Sequence, residues 1–412
     1  MKAVFVPKNG NGVWNAIPSK SLTHRAFIAA ALADGESRIG NALFSDDTNA
    51  TLDSLAKLGA HIEKSESAVS IRGLSLEKIP ENAELFVGES GSTLRFLIPL
   101  AFFSGKTVTF RGSERLFERP LDDYEMIARE HGFRFERKTG SLTVRGRAEA
   151  GDYCLSAKAG SQFVTGLLFA LPLLSGESRI LLSEKPESEP YIDLTLDTLA
   201  RFGVRIERPD ERTFIIPGGQ RFALQNFVVE GDESNAAFFA AFRELGFTVG
   251  ITGLSPETKQ GDKIFRNYFT ALREGTPTLD LSDCPDLAPI LFALAGAENG
   301  GVFTHAARLR QKESDRIVSM AAELSKFGIT LSENGGTVTV SPGFHAPKEP
   351  LFAHNDHRVA MALSVLLVKT GGELLGAECV SKSDPGFFDS LKKLGFAVEI
   401  FPDEDKKEGK TE

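Results

Sequence analysis

The chain has 412 residues, of which 42% are hydrophobic and 25% charged, and its formal net charge at pH 7 is −9. A single hydrophobic core stops growing near ~250–300 residues, so the length predicts two domains. The acidic balance argues against general binding to nucleic acid or to anionic membranes, because such binding depends on a basic surface.

The cysteines and the two ends of the chain indicate a cytoplasmic protein. Cys154, Cys284 and Cys379 are odd in number and form no CxxC pair, which predicts neither a zinc site nor a disulfide framework. The first twenty residues lack the apolar core of a signal peptide. The longest apolar runs fall short of the ~18 residues of a membrane span. Residues 403–412 are predicted to be a disordered tail.

A repeat runs along the chain. In each copy an apolar, helix-like run ends at a glycine and a strand pattern follows, with the glycines at Gly35, Gly105, Gly176, Gly246, Gly301 and Gly372. Their spacing is roughly 70 residues, with one shorter step of about 55. Each unit continues with a polar loop, an amphipathic helix, a hydrophobic residue followed by glycine, and another strand. Six such units divide naturally into two domains of three.

Each unit also contains an unusually apolar helix. In chain order these predicted helices cover residues 19–34, 90–104, 160–174, 232–245, 285–297 and 356–370. Because their polar residues are confined to the first turn, the helices are expected to be buried on nearly all sides, with the amphipathic helices outside them. Helix N termini attract anions, so several of them together would form a strong anion site.

The repeat predicts where the two domains begin and end. A linker is expected near residues 229–230. A second crossing is expected near residues 19–20, because the N-terminal strand pattern AVFVPK is left over for the second set of three units. The first domain is therefore predicted to span residues 20–229, and the second to combine residues 1–19 with 230–402.

Charged and small polar residues cluster at these helix starts and in the loops beside them. They are Lys20, Ser21, Arg25, Gly91, Arg119, Ser161, Gln162, Ser188, Tyr191, Asp286, Lys312, Glu313, Arg316, Asp356, His357, Arg358 and Lys382. Taken singly, several have ordinary explanations. Ser21, Ser161 and Asp286 are acceptable helix caps, and Gly91 could be a turn residue.

Lys312, Glu313 and Arg316 carry the strongest chemical signal. On one helix, Lys312 and Arg316 would share a face with Glu313 on its edge, which could be a solvent-exposed charge pair. Asp356 could likewise cap a helix beside a surface pair. Cations recur beside apolar helices, however, and burying them unpaired is costly. An anionic ligand is therefore predicted, bound by cations next to an acid–base group.

The motifs resemble those of the 5-enolpyruvylshikimate-3-phosphate synthase family. The matching segments are PSKSLTHRA, GESGSTLRF, GSQFVTGLL, SEPYIDLTL, EGDESNAAFF, LRQKESDRI, HNDHRVAMAL and KSDPGFFDSL. They occur in the family's order and cover roughly residues 3–400. The resemblance implies an α/β fold of two similar domains. Each is built from three βαβαββ-type repeats around buried parallel helices, an inside-out α/β barrel.

The resemblance also implies an activity. The family transfers the enolpyruvyl group of phosphoenolpyruvate to the 5-hydroxyl of shikimate 3-phosphate and releases phosphate, a step toward chorismate and the aromatic amino acids. The reaction is an addition–elimination through a tetrahedral intermediate, in a cleft that domain movement closes. The resemblance implies no cofactor and no metal ion. A cytoplasmic monomer is expected, with these two substrates as its partners and neither nucleic acid nor membrane.

Residue roles follow from the same resemblance. Phosphoenolpyruvate is expected to be bound by Lys20, Gly91, Arg119, Gln162, Arg316, His357, Arg358 and Lys382. Shikimate 3-phosphate is expected to be bound by Lys20, Ser21, Arg25, Ser161, Gln162, Ser188, Asp286 and Lys312. Asp286 is expected to accept the proton of the 5-hydroxyl. Glu313 is the favoured donor of a proton to the methylene carbon of phosphoenolpyruvate, and Lys20 is the competing donor.

Several positions depart from the family pattern. Gly160 stands in place of a common serine, Arg308 and Glu89 in place of asparagines, and Phe96 in place of a proline. Glu89 is expected to weaken phosphoenolpyruvate binding, and these changes leave sensitivity to the inhibitor glyphosate open.

Two alternatives remain. UDP-N-acetylglucosamine enolpyruvyl transferases typically carry Lys-Asn where this chain has Lys20 and Ser21, and a cysteine in the loop that here reads SERLFERP. A non-catalytic anion- or RNA-binding protein would need a basic, aromatic-rich surface, which the acidic balance disfavours.

Overall fold

The computed structural model describes residues 1–65, 68–156 and 160–402. These residues separate into two compact units. The first unit consists of residues 18–231 together with 257–260, and the second of residues 1–17, 232–256 and the chain from Gly261 onwards. The chain passes between the units at residues 17–18, 231–232, 256–257 and 260–261. The predicted tail, 403–412, lies outside the described residues.

The strands are short and distributed along the whole chain. In chain order they are β1 Lys2–Val6, β2 Asn11–Asn15, β3 Glu36–Gly40, β4 His61–Lys64, β5 Ala68–Arg72, β6 Ala83–Gly88, β7 Val108–Gly112, β8 Arg134–Lys138, β9 Ser141–Arg145, β10 Asp152–Leu155, β11 Ser178–Leu182, β12 Glu207–Asp210, β13 Thr213–Ile216, β14 Asn226–Val228, β15 Thr248–Thr252, β16 Thr278–Asp280, β17 Gly301–Thr304, β18 Thr330–Asn334, β19 Thr337–Ser341, β20 Leu351–Phe352, β21 Gly372–Leu375 and β22 Ala397–Phe401.

The helices alternate with these strands. The α-helices are α1 Lys20–Leu32, α2 Asp46–Lys57, α3 Gly91–Ser104, α4 Glu114–Glu118, α5 Asp122–Glu130, α6 Ser161–Ala170, α7 Glu189–Arg201, α8 Glu233–Glu244, α9 Phe265–Glu274, α10 Ala288–Ala297, α11 Arg316–Ser325, α12 His357–Thr370 and α13 Phe387–Lys393. Short 3-10 turns lie at Leu76–Lys78, Leu171–Leu173, Gly261–Ile264, Pro285–Leu287, Ala307–Gln311 and Ala377–Lys382.

Five sheets of the described residues repeat one pattern of strand pairing, whereas a sixth pairs only β15 with β2, in parallel. Within the described residues of the first unit, three four-stranded sheets have the orders β14-β3-β5-β4, β6-β7-β9-β8 and β10-β11-β13-β12. In each, the first pair is parallel and the next two are antiparallel. The second unit repeats the pattern in β16-β17-β19-β18 and in β20-β21-β1-β22, where the N-terminal strand β1 takes the third place.

The apolar helices form the cores, as predicted. Helices α1, α3 and α6 contribute to the core of the first unit, and α8, α10 and α12 to that of the second. Their burial is nearly complete: every residue of α10 from Ala288 to Gly296 is buried. The amphipathic helices, such as α2, α7 and α11, bury only one side. This organisation confirms the expected two-domain α/β fold.

The glycine that ends each apolar run shifts by one residue in the last two units, since Gly371, with φ +74°, caps α12 and Gly372 is already the first residue of β21. Gly105 ends α3 in the left-handed region, with φ +72°, as a C-terminal glycine commonly does. In the fifth unit that role belongs to Gly300, with φ +80°, whereas Gly301 is already the first residue of β17. A Cβ atom on Gly300 would lie 2.7 Å from the carbonyl oxygen of Val340, so the close approach of β19 also favours glycine there.

Candidate active site

The start of α1 places Lys20 against an aspartate. Ser19 caps the helix by accepting a hydrogen bond from the Leu22 N–H, so Ser21 is not its cap. The ammonium of Lys20 lies 3.0 Å from Asp47 Oδ2, and the two side chains are only 14% and 12% exposed. Asp47 belongs to the first turn of α2. Sequence reasoning missed it because acidic residues are common in first helical turns.

Arg25 is a buried cation held by neutral oxygen atoms. Its side chain donates to Thr195 Oγ1 at 2.9 Å, to the Ser21 carbonyl at 2.8 Å and to the Tyr191 carbonyl at 2.7 Å. Within the described residues it forms no ion pair with a carboxylate. Burial lowers the pKa of Arg25 to about 10, which still leaves it protonated at neutral pH. The guanidinium lies 5.2 Å from the centroid of the Phe96 ring, so this family departure packs beside Arg25.

Gly91 makes room for two guanidinium groups. It is the first residue of α3, which Ser90 caps through the Thr93 N–H. A Cβ atom at Gly91 would lie 2.9 Å from Nη1 of both Arg95 and Arg119. Because Gly91 already belongs to α3, its alternative explanation as a turn residue is wrong, and it is not among the positive-φ glycines. Space, rather than backbone freedom, explains glycine here.

Arg95 joins the starts of α3 and α6, although sequence reasoning gave it no role. Its Nη1 donates to Gln162 Oε1 at 3.1 Å, and Gln162 Nε2 donates to Ser92 Oγ at 3.0 Å. Ser161 is the first residue of α6 and is buried. The cap position belongs to Gly160, which has no side chain, so Ser161 is not the cap either.

The remaining first-unit candidates lie on loops. Arg119 is 7% exposed, and Arg137 donates to its carbonyl oxygen at 3.1 Å. Ser188 is 4% exposed and left-handed, with φ +59°, at the start of α7. Glu89 is half-buried and directly precedes the cap residue Ser90.

In the second unit, Asp286 is surrounded by cations. Its Oδ1 lies 2.9 Å from Arg316 Nη1 and 3.2 Å from Lys312 Nζ, and its Oδ2 lies 3.9 Å from Arg358 Nη2. Burial alone would raise the pKa of Asp286, but the charges of Lys312, Arg316 and Arg358 hold it well below its usual range. Asp286 lies inside the 3-10 turn before α10 and caps no helix with its side chain, so its capping explanation is wrong.

Arg316 is the most enclosed cation of this group, with 1% of its side chain exposed. Its Nε lies 2.9 Å from Asp356 Oδ2, and its Nη2 lies 3.0 Å from Glu313 Oε2. Burial alone would lower the pKa of Arg316, but Asp356, Glu313 and Asp286 together raise it above the ordinary value of arginine. Burial lowers the pKa of Lys312, and Asp286 offsets this only in part.

The predicted helical face of Lys312 and Arg316 is wrong. Helix α11 begins at Arg316, because Asp315 caps it by accepting hydrogen bonds from the N–H groups of Ile317 and Val318. Lys312 is extended, with φ −83° and ψ −167°, and ends the 3-10 turn Ala307–Gln311, which also contains Arg308. Lys312 and Arg316 nevertheless meet at Asp286, from a turn and a helix start rather than from one helix.

The start of α12 contains a cap and a buried guanidinium. Asp356 caps the helix through the Arg358 N–H at 2.9 Å. Its ion pair with Arg316 is fully buried rather than on the surface, so that part of its alternative explanation is wrong. Arg358 is 2% exposed, and no described residue accepts a hydrogen bond from its Nε or Nη1. His357 beside it is also 2% exposed.

Lys382 lies at the end of the last 3-10 turn and is 8% exposed. Its ammonium donates to the carbonyl oxygen of Asn355 at 2.6 Å and to Asn355 Oδ1 at 2.8 Å. Asn355 and Asp384 had no role in sequence reasoning. Asp384 is 1% exposed, and burial raises its pKa to about 7.

The structure thus brings the predicted residues together in groups within each unit. In the first unit, Gly91, Arg119 and Gln162 lie around Arg95. In the second, Lys312, Arg316 and Arg358 surround Asp286, and Glu313 pairs with Arg316. Residues 1–65, 68–156 and 160–402 contain no cluster of three potential metal ligands among His, Cys, Asp and Glu. None of the helices described is long and apolar enough to cross a membrane.

Comparisons with known proteins identify the family of the chain. The family model for EPSP synthase (3-phosphoshikimate 1-carboxyvinyltransferase) matches residues 7–391. The curated 3-phosphoshikimate 1-carboxyvinyltransferase of Clostridium kluyveri is 39% identical over 97% of this chain and 99% of its own length. That of Clostridium novyi is 37% identical over 96% and 98%. The chain therefore belongs to the EPSP synthase family.

Solved structures agree on the fold. An EPSP synthase from Acinetobacter baumannii, determined at 2.37 Å, superposes with a TM-score of 0.77 over 97% of this chain and 100% of that chain, at 22% identity. A second structure of EPSP synthase from that organism gives a TM-score of 0.76 over 98% and 100%, at 21% identity.

Proposed function

We propose that this chain transfers the enolpyruvyl group of phosphoenolpyruvate to the 5-hydroxyl of shikimate 3-phosphate and releases phosphate, a step of aromatic amino-acid biosynthesis. The observation that carries the proposal is Arg358, a buried guanidinium whose Nε and Nη1 lack an acceptor among the described residues. Leaving such donors unsatisfied is costly. A bound phosphate or carboxylate would supply the acceptors with a charge-assisted geometry.

The ligand assignment gives most of the shikimate 3-phosphate contacts to the first unit. Arg25 supports this role, because it keeps its charge while neutral oxygen atoms orient it. Ser21, Ser161, Gln162 and Ser188 are assigned with it, and Lys20 is assigned to both substrates. Asp286 and Lys312 are assigned to the same substrate.

The assignment for phosphoenolpyruvate centres on arginine and lysine. It comprises Lys20, Gly91, Arg119, Gln162, Arg316, His357, Arg358 and Lys382. The space at Gly91 supports it, because two guanidinium groups approach the start of α3 where an anion also benefits from the helix N terminus.

Asp286 is proposed to accept the proton of the 5-hydroxyl, and Glu313 to deliver a proton to the methylene carbon. The neighbouring cations keep Asp286 ionised and able to accept, although a low pKa also makes it a weak base. Lys20 is the alternative donor. Glu313→Gln separates them, since kcat should fall strongly only if Glu313 is the donor.

The protein is further proposed to be a cytoplasmic monomer that acts on two small molecules and binds no nucleic acid. The net charge of −9 supports the last of these points. Light scattering coupled to gel filtration measures the mass, and salt-sensitive binding to single-stranded RNA would contradict the absence of a nucleic-acid partner.

The deciding experiment is a phosphate-release assay with phosphoenolpyruvate and either shikimate 3-phosphate or UDP-N-acetylglucosamine as acceptor. Phosphate release is expected with shikimate 3-phosphate and not with UDP-N-acetylglucosamine. Reactions that lack either substrate are the controls. Release only with UDP-N-acetylglucosamine, or with neither acceptor, would overturn the proposal.

A further inference from the structure

The segment before α12 contains two neighbouring left-handed residues that are not glycine. His354 has φ +51° and Asn355 has φ +53°. Asparagine and histidine enter this region more often than most residues, but generally singly. Such backbone persists only where surrounding contacts determine it. The contacts around these two residues therefore show what keeps the turn in place.

His354 is attached to α11 by Glu323. Its Nε2 lies 2.8 Å from Glu323 Oε1, and Glu323 is 2% exposed. The other carboxylate oxygen accepts from the Phe352 N–H at 3.0 Å and from Lys326 Nζ at 2.8 Å. Burial would raise the pKa of Glu323, but these partners hold it below its usual value. An ionised, well-satisfied carboxylate thus fixes the first residue of the turn.

The same helix also holds the other side of the turn. Arg316 begins α11 and binds Asp356, directly after Asn355. Arg316 and Glu323 are seven residues apart, which places them on one face of the helix about two turns from each other. Helix α11 therefore contacts the chain at residues 354 and 356, on either side of Asn355.

Asn355 in turn holds Lys382. The ammonium donates to both the backbone carbonyl and the side-chain oxygen of Asn355, at 2.6 Å and 2.8 Å. An ammonium has three donors on a flexible stem, so an acceptor pair of this kind fixes the direction of the group. The backbone carbonyl has this direction only while Asn355 stays left-handed.

We propose that Glu323 and His354 are positioning residues that hold the left-handed turn at 354–355 and, through Asn355, aim the ammonium of Lys382 at phosphoenolpyruvate. The inference rests on the proposed function, because it takes Lys382 as a ligand of that substrate. It adds residues that act through Lys382 without touching substrate.

The main test is His354→Gly. Glycine adopts the left-handed region without strain but removes the contact with Glu323. The KM for phosphoenolpyruvate should rise about threefold to tenfold, the range of a weakened hydrogen bond, while kcat and the KM for shikimate 3-phosphate change less than about twofold. Glu323→Gln leaves a single oxygen acceptor for the groups that now contact both carboxylate oxygens, so the KM for phosphoenolpyruvate should rise in this variant as well.

The matched control is His305→Gly. His305 is also left-handed, with φ +55°, and also contacts a carboxylate, Asp280, at 3.0 Å. Its replacement should leave both KM values unchanged. Should His354→Gly fail to fold, as judged by circular dichroism, His354→Asn replaces it, because asparagine tolerates the turn but is too short to keep the same contact.

A double-mutant cycle with Lys382→Ala separates positioning from general support of the fold. If His354 acts through Lys382, His354→Gly should add nothing to the KM of Lys382→Ala. An equal rise in both backgrounds, or no rise in the parent enzyme, would overturn the inference. A parent enzyme that fails to turn over the two substrates would instead contradict the proposed function.

Discussion

Two buried arginines, one in each unit, have different hydrogen-bond partners for their positive charge. Among the residues that the structure describes, Arg25 donates only to neutral oxygen atoms of Ser21, Tyr191 and Thr195, and burial lowers its pKa to about 10. Arg316 donates to the carboxylates of Asp286, Glu313 and Asp356, and its pKa is raised.

The difference separates two uses of a buried cation. A guanidinium oriented by neutral dipoles keeps an uncompensated positive charge, which an anionic ligand can neutralise. A guanidinium surrounded by carboxylates is already neutralised, and its main effect is to hold those carboxylates in place. Arg25 is therefore expected to matter mainly for binding, and Arg316 for the integrity of the cluster around Asp286.

The largest expected effect is the loss of catalysis in the variant Asp286→Asn. The change removes the proposed proton acceptor but keeps the size of the side chain, so kcat should fall by about 10²–10⁴-fold, the usual contribution of a general base. Steady-state kinetics with both substrates measures it. Asp283→Asn, an exposed neighbour in the same loop, is the control. A kcat close to that of the parent enzyme would remove Asp286 from the mechanism.

Local pattern explains what the sequence could predict of this cluster. The composition of two apolar runs predicted core helices with polar starts. The corresponding helices, α10 and α12, are buried almost entirely. Asp286 and Arg358 were found because they lie at or just before such starts. The helix boundary at Arg316 was missed, because the capping strength of Asp315 had to be weighed against a helix-like charge spacing.

Partners that come from distant parts of the chain could not be predicted. Asp47 lies 27 residues from Lys20, and Asn355 lies 27 residues from Lys382. Each looks ordinary in sequence, one as an acidic first-turn residue and the other as a loop asparagine. The left-handed conformation at His354 depends on Glu323, which is 31 residues away, so no local signal indicates it.

Replacing each arginine by methionine tests the comparison directly. Arg316→Met leaves the surrounding carboxylates without their cation, which should cost about 3–5 kcal/mol of unfolding free energy. Arg25→Met loses neutral hydrogen bonds, which should cost only about 1–3 kcal/mol, but it should raise the KM for shikimate 3-phosphate. Urea unfolding measures the unfolding free energy of both variants, and steady-state kinetics measures their KM for shikimate 3-phosphate. Equal losses of stability would contradict the proposed division of roles.

Asp384 provides a pH test, because it is a buried carboxyl without the cation pairing of Asp286. Its folded-state pKa of about 7 lies above the ~3.9 of an unfolded aspartate. The stability that its proton provides is therefore fully present below about pH 4 and is lost as the pH rises through about 7.

Asp384→Asn should remove that pH dependence. Between pH 4 and pH 8 the parent enzyme should lose roughly 2–4 kcal/mol more unfolding free energy than the variant. Denaturant unfolding across this range measures the difference, and Asp389→Asn, an exposed aspartate of the neighbouring helix α13, is the control. Parallel curves for the parent enzyme and Asp384→Asn would show that the carboxyl titrates normally.

The smallest effect is expected at Gly91, which two guanidinium groups approach closely. In Gly91→Ala the new methyl group would lie 2.9 Å from Nη1 of Arg95 and of Arg119. Because both are the ends of flexible side chains, they can shift by a few tenths of an ångström. The KM for phosphoenolpyruvate should therefore rise only about two- to fivefold. Gly151→Ala, which has open space around it, is the matched control. A loss of folding stability in Gly91→Ala alone would show that the two guanidinium groups cannot shift to make room for the methyl group.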